Sequence, residues 1–437
     1  MSLHLSPGNT CTKTTTSPTP TAVNHSSMVT MPQRCSLPRR HETIPSSDNA
    51  RIAICADDAT VSPCCSVNFP TFRRRDSRGR LGQRWMDYQG MCNWEGLLHP
   101  LDETLRSEIL RYGCFVDAAY KSFDVELSSP TYASLLHPKD SLLERCGCHD
   151  TGYRVTRNLH ATSSIQLPEW ACRGPTARMA VRSSWIGYVA VCQDRDEIAR
   201  LGRRDVVIAY RGTVTCLEWL ENFRANLSCL NDRDGPNRGD DLGCTQPMVE
   251  SGFLSLYTSR TANRQSLRET VREEVARLVE KYGGVEDVPL SLTITGHSLG
   301  AALAILTAYD VKKLLARKRV AITVISFGGP RVGNKSFQRQ LEEQGVRVLR
   351  IVNSEDPVTR MPGFVAEDNG DKPRSANHRC RLPSWLEERQ RQWVYAEVGK
   401  ELRLSSRESP YLNLNGGYDV AKCHDLRTYL HLVKGVR

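Results

Sequence analysis

A serine flanked by two glycines stands between two apolar segments of the chain. Residues 296–300 read Gly-His-Ser-Leu-Gly, after the apolar run 290–294 and before the run 301–306. In a strand–turn–helix of this kind, the glycines permit a sharp turn that lifts the serine hydroxyl clear of the sheet. The N–H groups that open the following helix then point at a reacting carbonyl. The pattern therefore predicts that Ser298 is the nucleophile of an acyl hydrolase.

A carboxylate should follow the serine, because the chain order in this architecture is Ser, acid, His. Asp356 comes soon after the apolar run that ends at Val352 and is the expected acid, with Glu355 as the neighbouring alternative. Such a carboxylate holds the tautomer of the catalytic imidazole and stabilises the imidazolium. The competing interpretation is that the Asp356-Pro357 step simply makes a turn.

The base should be a histidine further along the chain. His378 lies in a basic, polar stretch typical of a surface. His424 opens an apolar helical segment, and His431 lies two turns deeper in the same segment, where a structural role is expected. We therefore expect His424 to be the base.

Two N–H groups are needed for an oxyanion hole. Leu299, directly after the nucleophile, is expected to supply one. The turn at Tyr210-Arg211-Gly212-Thr213 ends an early strand, and Thr213 is expected to supply the second through its backbone, with its hydroxyl as a further donor.

An apolar stripe at helical spacing follows this turn. It favours either a helix that faces the core or a mobile helical lid whose apolar face meets lipid, and the pattern leaves both open. Its members are Leu217, Leu220, Phe223 and Leu227.

Short β-branched runs alternate with helical segments through the globular part of the chain. The alternation predicts a mostly parallel central sheet flanked by helices, the α/β-hydrolase fold, with the serine at the carboxyl end of a central strand. Strands are expected at 206–210, 291–295, 320–327 and 346–352, and helices at 99–122, 266–281, 300–316 and 335–344.

Composition excludes several classes of protein. The chain has 437 residues, with 39% hydrophobic and 25% charged residues and a net charge of +10. These fractions are ordinary for a globular protein, and no apolar stretch is long enough for a membrane helix. Sixteen cysteines occur without a C-x-x-C pair, so zinc spacing is absent and buried thiols in a reducing compartment are expected. No motif supports nucleic-acid binding.

The first fifty residues contain only two acids and are dense in Ser, Thr and Pro. Such a segment buries too little apolar area to fold, and its composition is typical of an organelle transit peptide. Because arginine is sparse before Arg34, the pattern favours the plastid. We expect residues 1–75 to be a disordered transit peptide and linker, and residues 76–437 to be the catalytic domain.

Several stretches together resemble the plant class I phospholipase A1 family, plastid acyl hydrolases of the fungal-type (class 3) lipase superfamily. The resemblance covers the chain from about Trp85 to the C-terminus and rests on residues 94–98, 187–191, 210–213, 249–257, 295–303, 326–334 and 423–433.

The resemblance implies a chloroplast enzyme that contacts membranes peripherally and cleaves the sn-1 ester of phosphatidylcholine or of a galactolipid such as monogalactosyldiacylglycerol. It also implies a triad of Ser298, Asp356 and His424, with Thr213 in the oxyanion hole and no metal or organic cofactor. The polar loop 231–247 and the Asp356-Pro357 step depart from the family pattern. A neutral-glyceride lipase and a non-catalytic lipase-like scaffold remain the alternatives.

Overall fold

The computed structural model describes the greater part of the chain from Arg80 onward. The described residues are 80–126, 128–148, 151–162, 183–213, 226–230, 246–284, 288–362, 364–365, 394–407, 409 and 419–435. The expected transit segment 1–75 lies outside them, as do three members of the apolar stripe (Leu217, Leu220 and Phe223) and His378.

A central sheet organises the described residues. Seven strands pair in the order β1-β2-β3-β6-β7-β8-β11 within this part of the chain. Strands β1, β2 and β3 pair antiparallel, whereas β3, β6, β7, β8 and β11 pair parallel. The strands are β1 (Tyr153–Thr162), β2 (Ser183–Cys192), β3 (Arg204–Tyr210), β4 (Leu227–Cys229), β5 (Met248–Glu250), β6 (Leu290–His297), β7 (Ala321–Phe327), β8 (Arg347–Asn353), β9 (Phe364–Val365), β10 (Val394–Tyr395) and β11 (Lys400–Leu404).

Helices cover both faces of this sheet. Short 3-10 helices lie at Lys139–Ser141 and Pro357–Arg360. The α-helices of the described residues are α1 (Arg80–Gln83), α2 (Trp85–Tyr88), α3 (Glu103–Lys121), α4 (Leu142–Arg145), α5 (Arg195–Leu201), α6 (Ser251–Thr258), α7 (Leu267–Tyr282), α8 (Leu299–Leu314), α9 (Lys335–Glu343), α10 (Val420–His424) and α11 (Leu426–Gly435).

The core is split between the two faces because successive strand residues point to opposite sides. In β3, Val207 and Ala209 pack with α3 and α11, whereas Val206 and Ile208 pack with α6, α7, α8 and α9. Both sets are fully or almost fully buried. A sheet covered on both faces reads as continuous apolar runs, which explains the runs seen in the sequence.

The long helix α3 matters for the site because it ends close to it. Its first turn is capped by Asp102, whose carboxylate accepts from the N–H groups of Thr104 and Leu105 at 2.8 and 3.0 Å. Such a cap satisfies donors that the helix itself leaves unpaired. The last turn carries Tyr120, which reaches the loops at the carboxyl ends of β3 and β6.

The predicted α/β-hydrolase fold with a mostly parallel sheet is confirmed. The four predicted strands correspond to β3, β6, β7 and β8, and the four predicted helices to α3, α7, α8 and α9. Strands β1, β2 and β11 were not predicted. The prediction that Leu227 belongs to a helical stripe is wrong: Leu227 lies in β4 and pairs with Glu250 of β5, so its backbone is extended.

Candidate active site

Ser298 occupies a tight turn between β6 and α8. Its φ and ψ are 57° and −126°, a conformation that a non-glycine residue adopts only when the surrounding structure holds it. The Ser298 N–H donates to the carbonyl of Phe327, at the end of β7, at 3.0 Å. This bond fastens the turn to the neighbouring strand.

The two glycines of the pentapeptide are required by close backbone approaches. A Cβ on Gly296 would lie 2.3 Å from the carbonyl oxygen of Gly300. A Cβ on Gly300 would lie 2.5 Å from the carbonyl oxygen of Arg211, in the loop after β3. Any side chain at either position would therefore push the start of α8 away from the sheet.

Asp356 and His424 are in direct contact. Nδ1 of His424 lies 2.6 Å from Oδ2 of Asp356, and the two residues are only 4% and 0% exposed. Because a carboxylate can only accept, Nδ1 carries the proton and Nε2 is the basic nitrogen of the neutral ring. The hydroxyl of Tyr429 donates to the same oxygen at 2.6 Å. The carboxylate is thus held from two sides.

The Asp356-Pro357 step also makes a turn. Oδ1 of Asp356 accepts from the Val358 N–H at 2.9 Å and caps the 3-10 helix that Pro357 begins. The two sequence interpretations of Asp356 are therefore compatible, because one carboxylate oxygen caps the turn and the other meets the imidazole.

The alternative acid and base have different surroundings. The carboxylate of Glu355 accepts from the Ser406 N–H at 2.7 Å and lies 3.1 Å from Nε of Arg407. His431 lies on α11 and is half-buried. The direct imidazole–carboxylate contact is made by His424 and Asp356.

The loop after β3 lies against the serine. A Cβ on Gly212 would be 2.9 Å from Cβ of Ser298, so the Gly212–Thr213 backbone borders the nucleophile. The Thr213 hydroxyl is buried and has no hydrogen-bond partner among the described residues. Leu299 is the first residue of α8, where helical N–H groups have no partner within the helix. Leu299 thus follows Ser298 directly, and Thr213 follows Gly212, the residue that lies against Ser298.

A hydrogen-bonded chain that the sequence did not reveal joins this loop to His424. The Gly212 N–H donates to the Tyr120 hydroxyl at 2.8 Å, and that oxygen lies 2.7 Å from Nδ1 of His297. Nε2 of His297 lies 2.7 Å from the carbonyl oxygen of His424. Since a carbonyl only accepts, Nε2 of His297 is the donor, and Nδ1 accepts from Tyr120.

His297 is held neutral in this position. Its burial, with a smaller effect from nearby His424, lowers its pKa well below the ordinary value. A neutral ring suits the chain, because one nitrogen donates and the other accepts. His297 lies inside the Gly-His-Ser-Leu-Gly motif, so there was a reason in the sequence to consider it. Tyr120 is 177 residues away from His297, and no sequence motif pointed to it.

The proposed nucleophile and base are both buried. Ser298 is 1% exposed and His424 is 4% exposed.

Fold and site together define an α/β-hydrolase of the acyl hydrolase class. Residues 207–366 match the family model described as Lipase (class 3). The chain is 58% identical over 360 residues to Phospholipase A(1) DAD1, chloroplastic, of Arabidopsis thaliana, covering 82% of this chain and 77% of the relative. It is 40% identical over 370 residues to Galactolipase DONGLE, chloroplastic, of the same plant, covering 82% and 71%.

A lipase from Rhizopus microsporus var. chinensis aligns more distantly, with a TM-score of 0.40 and 18% identity over 71% of this chain and 77% of that one. The long, high-identity matches to plant proteins decide the family. The chain belongs to the plant phospholipase A1 family of class 3 lipases.

Proposed function

We propose that this chain is a serine acyl hydrolase that removes the sn-1 acyl group from membrane glycerolipids and releases a free fatty acid. The observation that carries the proposal is the contact between Asp356 and His424 at 2.6 Å, beside a serine held in a nucleophile turn. The names of the relatives, a phospholipase A(1) and a galactolipase, support phospholipids and galactolipids as the substrate classes. Phosphatidylcholine and monogalactosyldiacylglycerol are the members of these classes that we propose.

The mechanism follows from the positions of the protons. Nε2 of His424 takes the proton of Ser298 as its hydroxyl oxygen attacks the ester carbonyl, and Asp356 stabilises the imidazolium that forms. The N–H groups of Leu299 and Thr213 stabilise the oxyanion. His424 then returns the proton to the departing glycerol oxygen, and a water activated by the same nitrogen releases the fatty acid.

Contact with lipid is proposed to be peripheral. Within the part of the chain that the structure describes, no helix is long and apolar enough to cross a membrane. We propose no nucleic-acid partner, because no motif supports one.

The chain is proposed to act in the chloroplast. The acid-poor composition of the N-terminal segment supports a transit peptide and linker over residues 1–75, ahead of a lipase domain over residues 76–437. The relatives named as chloroplastic support the same compartment. Fusing residues 1–75 to a fluorescent protein tests this: plastid import is expected, and cytosolic fluorescence would contradict it.

The activity is tested with lipids whose two acyl chains differ. Full-length wild type and Ser298→Ala are incubated with phosphatidylcholine, monogalactosyldiacylglycerol and a triglyceride, and the released fatty acids are identified by mass spectrometry. We expect the wild type to release the sn-1 chain from at least one of the two polar lipids, and Ser298→Ala to release none. Release from triglyceride alone would indicate a neutral-glyceride lipase, and no release by folded protein would indicate a non-catalytic scaffold.

A further inference from the structure

Arg211, the first residue after β3 and the one before Gly212, is a buried arginine without a carboxylate partner among the described residues. It is 4% exposed. Its guanidinium donates to the carbonyl of Trp185 at 3.0 Å, to the hydroxyl of Ser184 at 2.8 Å and to the carbonyl of Gly212 at 2.7 Å. Its central carbon lies 3.4 Å from the centre of the Phe123 ring.

Other buried arginines of this chain are neutralised. Arg111 and Arg203, for example, lie 2.5 and 3.7 Å from the carboxylate of Glu108. Burial lowers the pKa of Arg211 to about 10, which still leaves the group charged at neutral pH. A buried charge without a carboxylate partner costs stability. Because Arg211 lies beside the proposed oxyanion hole, a function at that hole would explain why the charge is kept.

The acceptor of the shortest of these bonds connects Arg211 to the hole. The carbonyl of Gly212 and the N–H of Thr213 belong to one planar peptide group. A charge-assisted bond to the carbonyl is stronger than a neutral one and polarises the group, so the N–H at its other end becomes a better donor. The Gly212 N–H on the preceding peptide is held by Tyr120 at 2.8 Å.

We propose that Arg211 is a positioning residue of the oxyanion hole. Its guanidinium orients and polarises the Gly212–Thr213 peptide group, which then donates to the oxyanion of the tetrahedral intermediate. The inference rests on the proposed acyl hydrolase function and on Thr213 as a donor. It concerns turnover rather than substrate binding, because the oxyanion exists only after attack on the carbonyl.

The test compares full-length wild type, Arg211→Lys and Arg211→Met on a soluble ester, para-nitrophenyl butyrate. Loss of a direct oxyanion donor costs on the order of a hundred- to a thousandfold in kcat. We expect Arg211→Met to lose about tenfold to a hundredfold in kcat, since the donor itself remains, while KM changes by less than about threefold. The kcat of Arg211→Lys should lie between those of the wild type and Arg211→Met. The lysine ammonium keeps the positive charge but lacks the several N–H donors of the guanidinium.

A second readout measures the oxyanion interaction itself. An alkyl trifluoromethyl ketone adds reversibly to the serine and forms a hemiketal oxyanion, so its affinity should weaken by the same factor as kcat/KM. Arg203→Met is the matched control: it removes a buried arginine just before β3, where the side chain bonds to Ser291 and Tyr112. We expect that variant to lose stability but to bind the ketone like the wild type.

Unchanged kcat and ketone affinity in a folded Arg211→Met would overturn the proposal, as would an equal loss of affinity in Arg203→Met. If Arg211→Met does not fold, the same two measurements on Arg211→Lys decide. A fluorophosphonate probe separates this from the proposed function: if wild-type Ser298 is not labelled, the acyl hydrolase proposal fails. If it is labelled but the arginine variants match the wild type, only the role of Arg211 fails.

Discussion

The imidazole of His297 donates from Nε2 to the backbone carbonyl of His424, 2.7 Å away. The residue that precedes the nucleophile therefore holds the backbone of the proposed base. Through Tyr120 the same ring is joined to Gly212 in the oxyanion loop. The neutral ring of His297 and the hydroxyl of Tyr120 thus hold the oxyanion loop, the serine turn and the backbone of His424 in fixed positions relative to one another.

Removal of the Tyr120 hydroxyl should disturb this arrangement. Tyr120→Phe leaves the Gly212 N–H and Nδ1 of His297 without their shared partner, which should cost about 1–3 kcal/mol of unfolding free energy and lower kcat on a soluble ester. Tyr309→Phe is the control, because its hydroxyl bonds to Gln340 at 2.7 Å on another part of the fold. Urea unfolding and steady-state kinetics measure both. Equal kcat in the two variants would contradict a positioning role for Tyr120.

The buried His297 should make stability depend on pH. Its pKa is depressed in the folded state from the ordinary value of 6.5, so below about pH 6.5 the unfolded state binds a proton that the folded state does not. The free energy of unfolding should then fall with decreasing pH, by up to about 1.4 kcal/mol per pH unit from this one group. His297→Gln should remove that contribution. Urea unfolding at several pH values between neutrality and pH 5 gives the slopes, and identical slopes would disprove the assignment.

The acid is tested by exchanging each neighbouring carboxylate for an amide. Asp356→Asn should lower kcat by about ten-thousandfold, because the amide no longer favours the Nδ1–H tautomer of His424. Glu355→Gln should retain most activity, since Glu355 bonds to Ser406 instead. Thermal unfolding checks that both variants fold. A severe loss of kcat in Glu355→Gln, with an active Asp356→Asn, would reverse the assignment.

The close contact behind the serine turn should not tolerate a methyl group. In Gly300→Ala the new Cβ would lie 2.5 Å from the Arg211 carbonyl oxygen, so either α8 or the oxyanion loop must shift, at a cost of about 1–3 kcal/mol. Gly284→Ala, where no atom lies within 4 Å, should change stability by less than about 0.5 kcal/mol. Calorimetric unfolding and ester hydrolysis are the measurements. Wild-type behaviour of Gly300→Ala would show that the turn is looser than described.

The parallel interior of the sheet could be predicted from the sequence better than its edges, whereas β2, an interior strand that is largely buried, was missed. Strands β3, β6, β7 and β8 are buried on both faces, so each one reads as an apolar run. Strands β1 and β11 lie at the ends of the sheet. Strand β1 mixes buried with half-exposed residues and has two register shifts against β2, and β11 reads Lys-Glu-Leu-Arg-Leu. These edge strands form by pairing with a neighbour, which local pattern does not encode.

Some residues of the candidate site could likewise be predicted from the sequence, and others could not. Ser298 has a motif, and Asp356 and His424 follow from the order of the chain and the apolar runs before or after them. Arg211 and Tyr120 carry no such signal, because each acts through a contact with backbone or side chain that the fold creates. Leu227 shows the converse error: its spacing suits a helix, but pairing with β5 makes it a strand residue.

The identity of the nucleophile is the central claim, and active-site labelling tests it most directly. Wild type, Ser298→Ala and His424→Ala are treated with a fluorophosphonate, and the modified peptide is identified by mass spectrometry beside an assay of sn-1 acyl release from phosphatidylcholine and monogalactosyldiacylglycerol. We expect one adduct, on Ser298 of the wild type, and a loss of turnover of roughly a millionfold in Ser298→Ala. An adduct on another serine, or acyl release that persists in folded Ser298→Ala, would contradict the account.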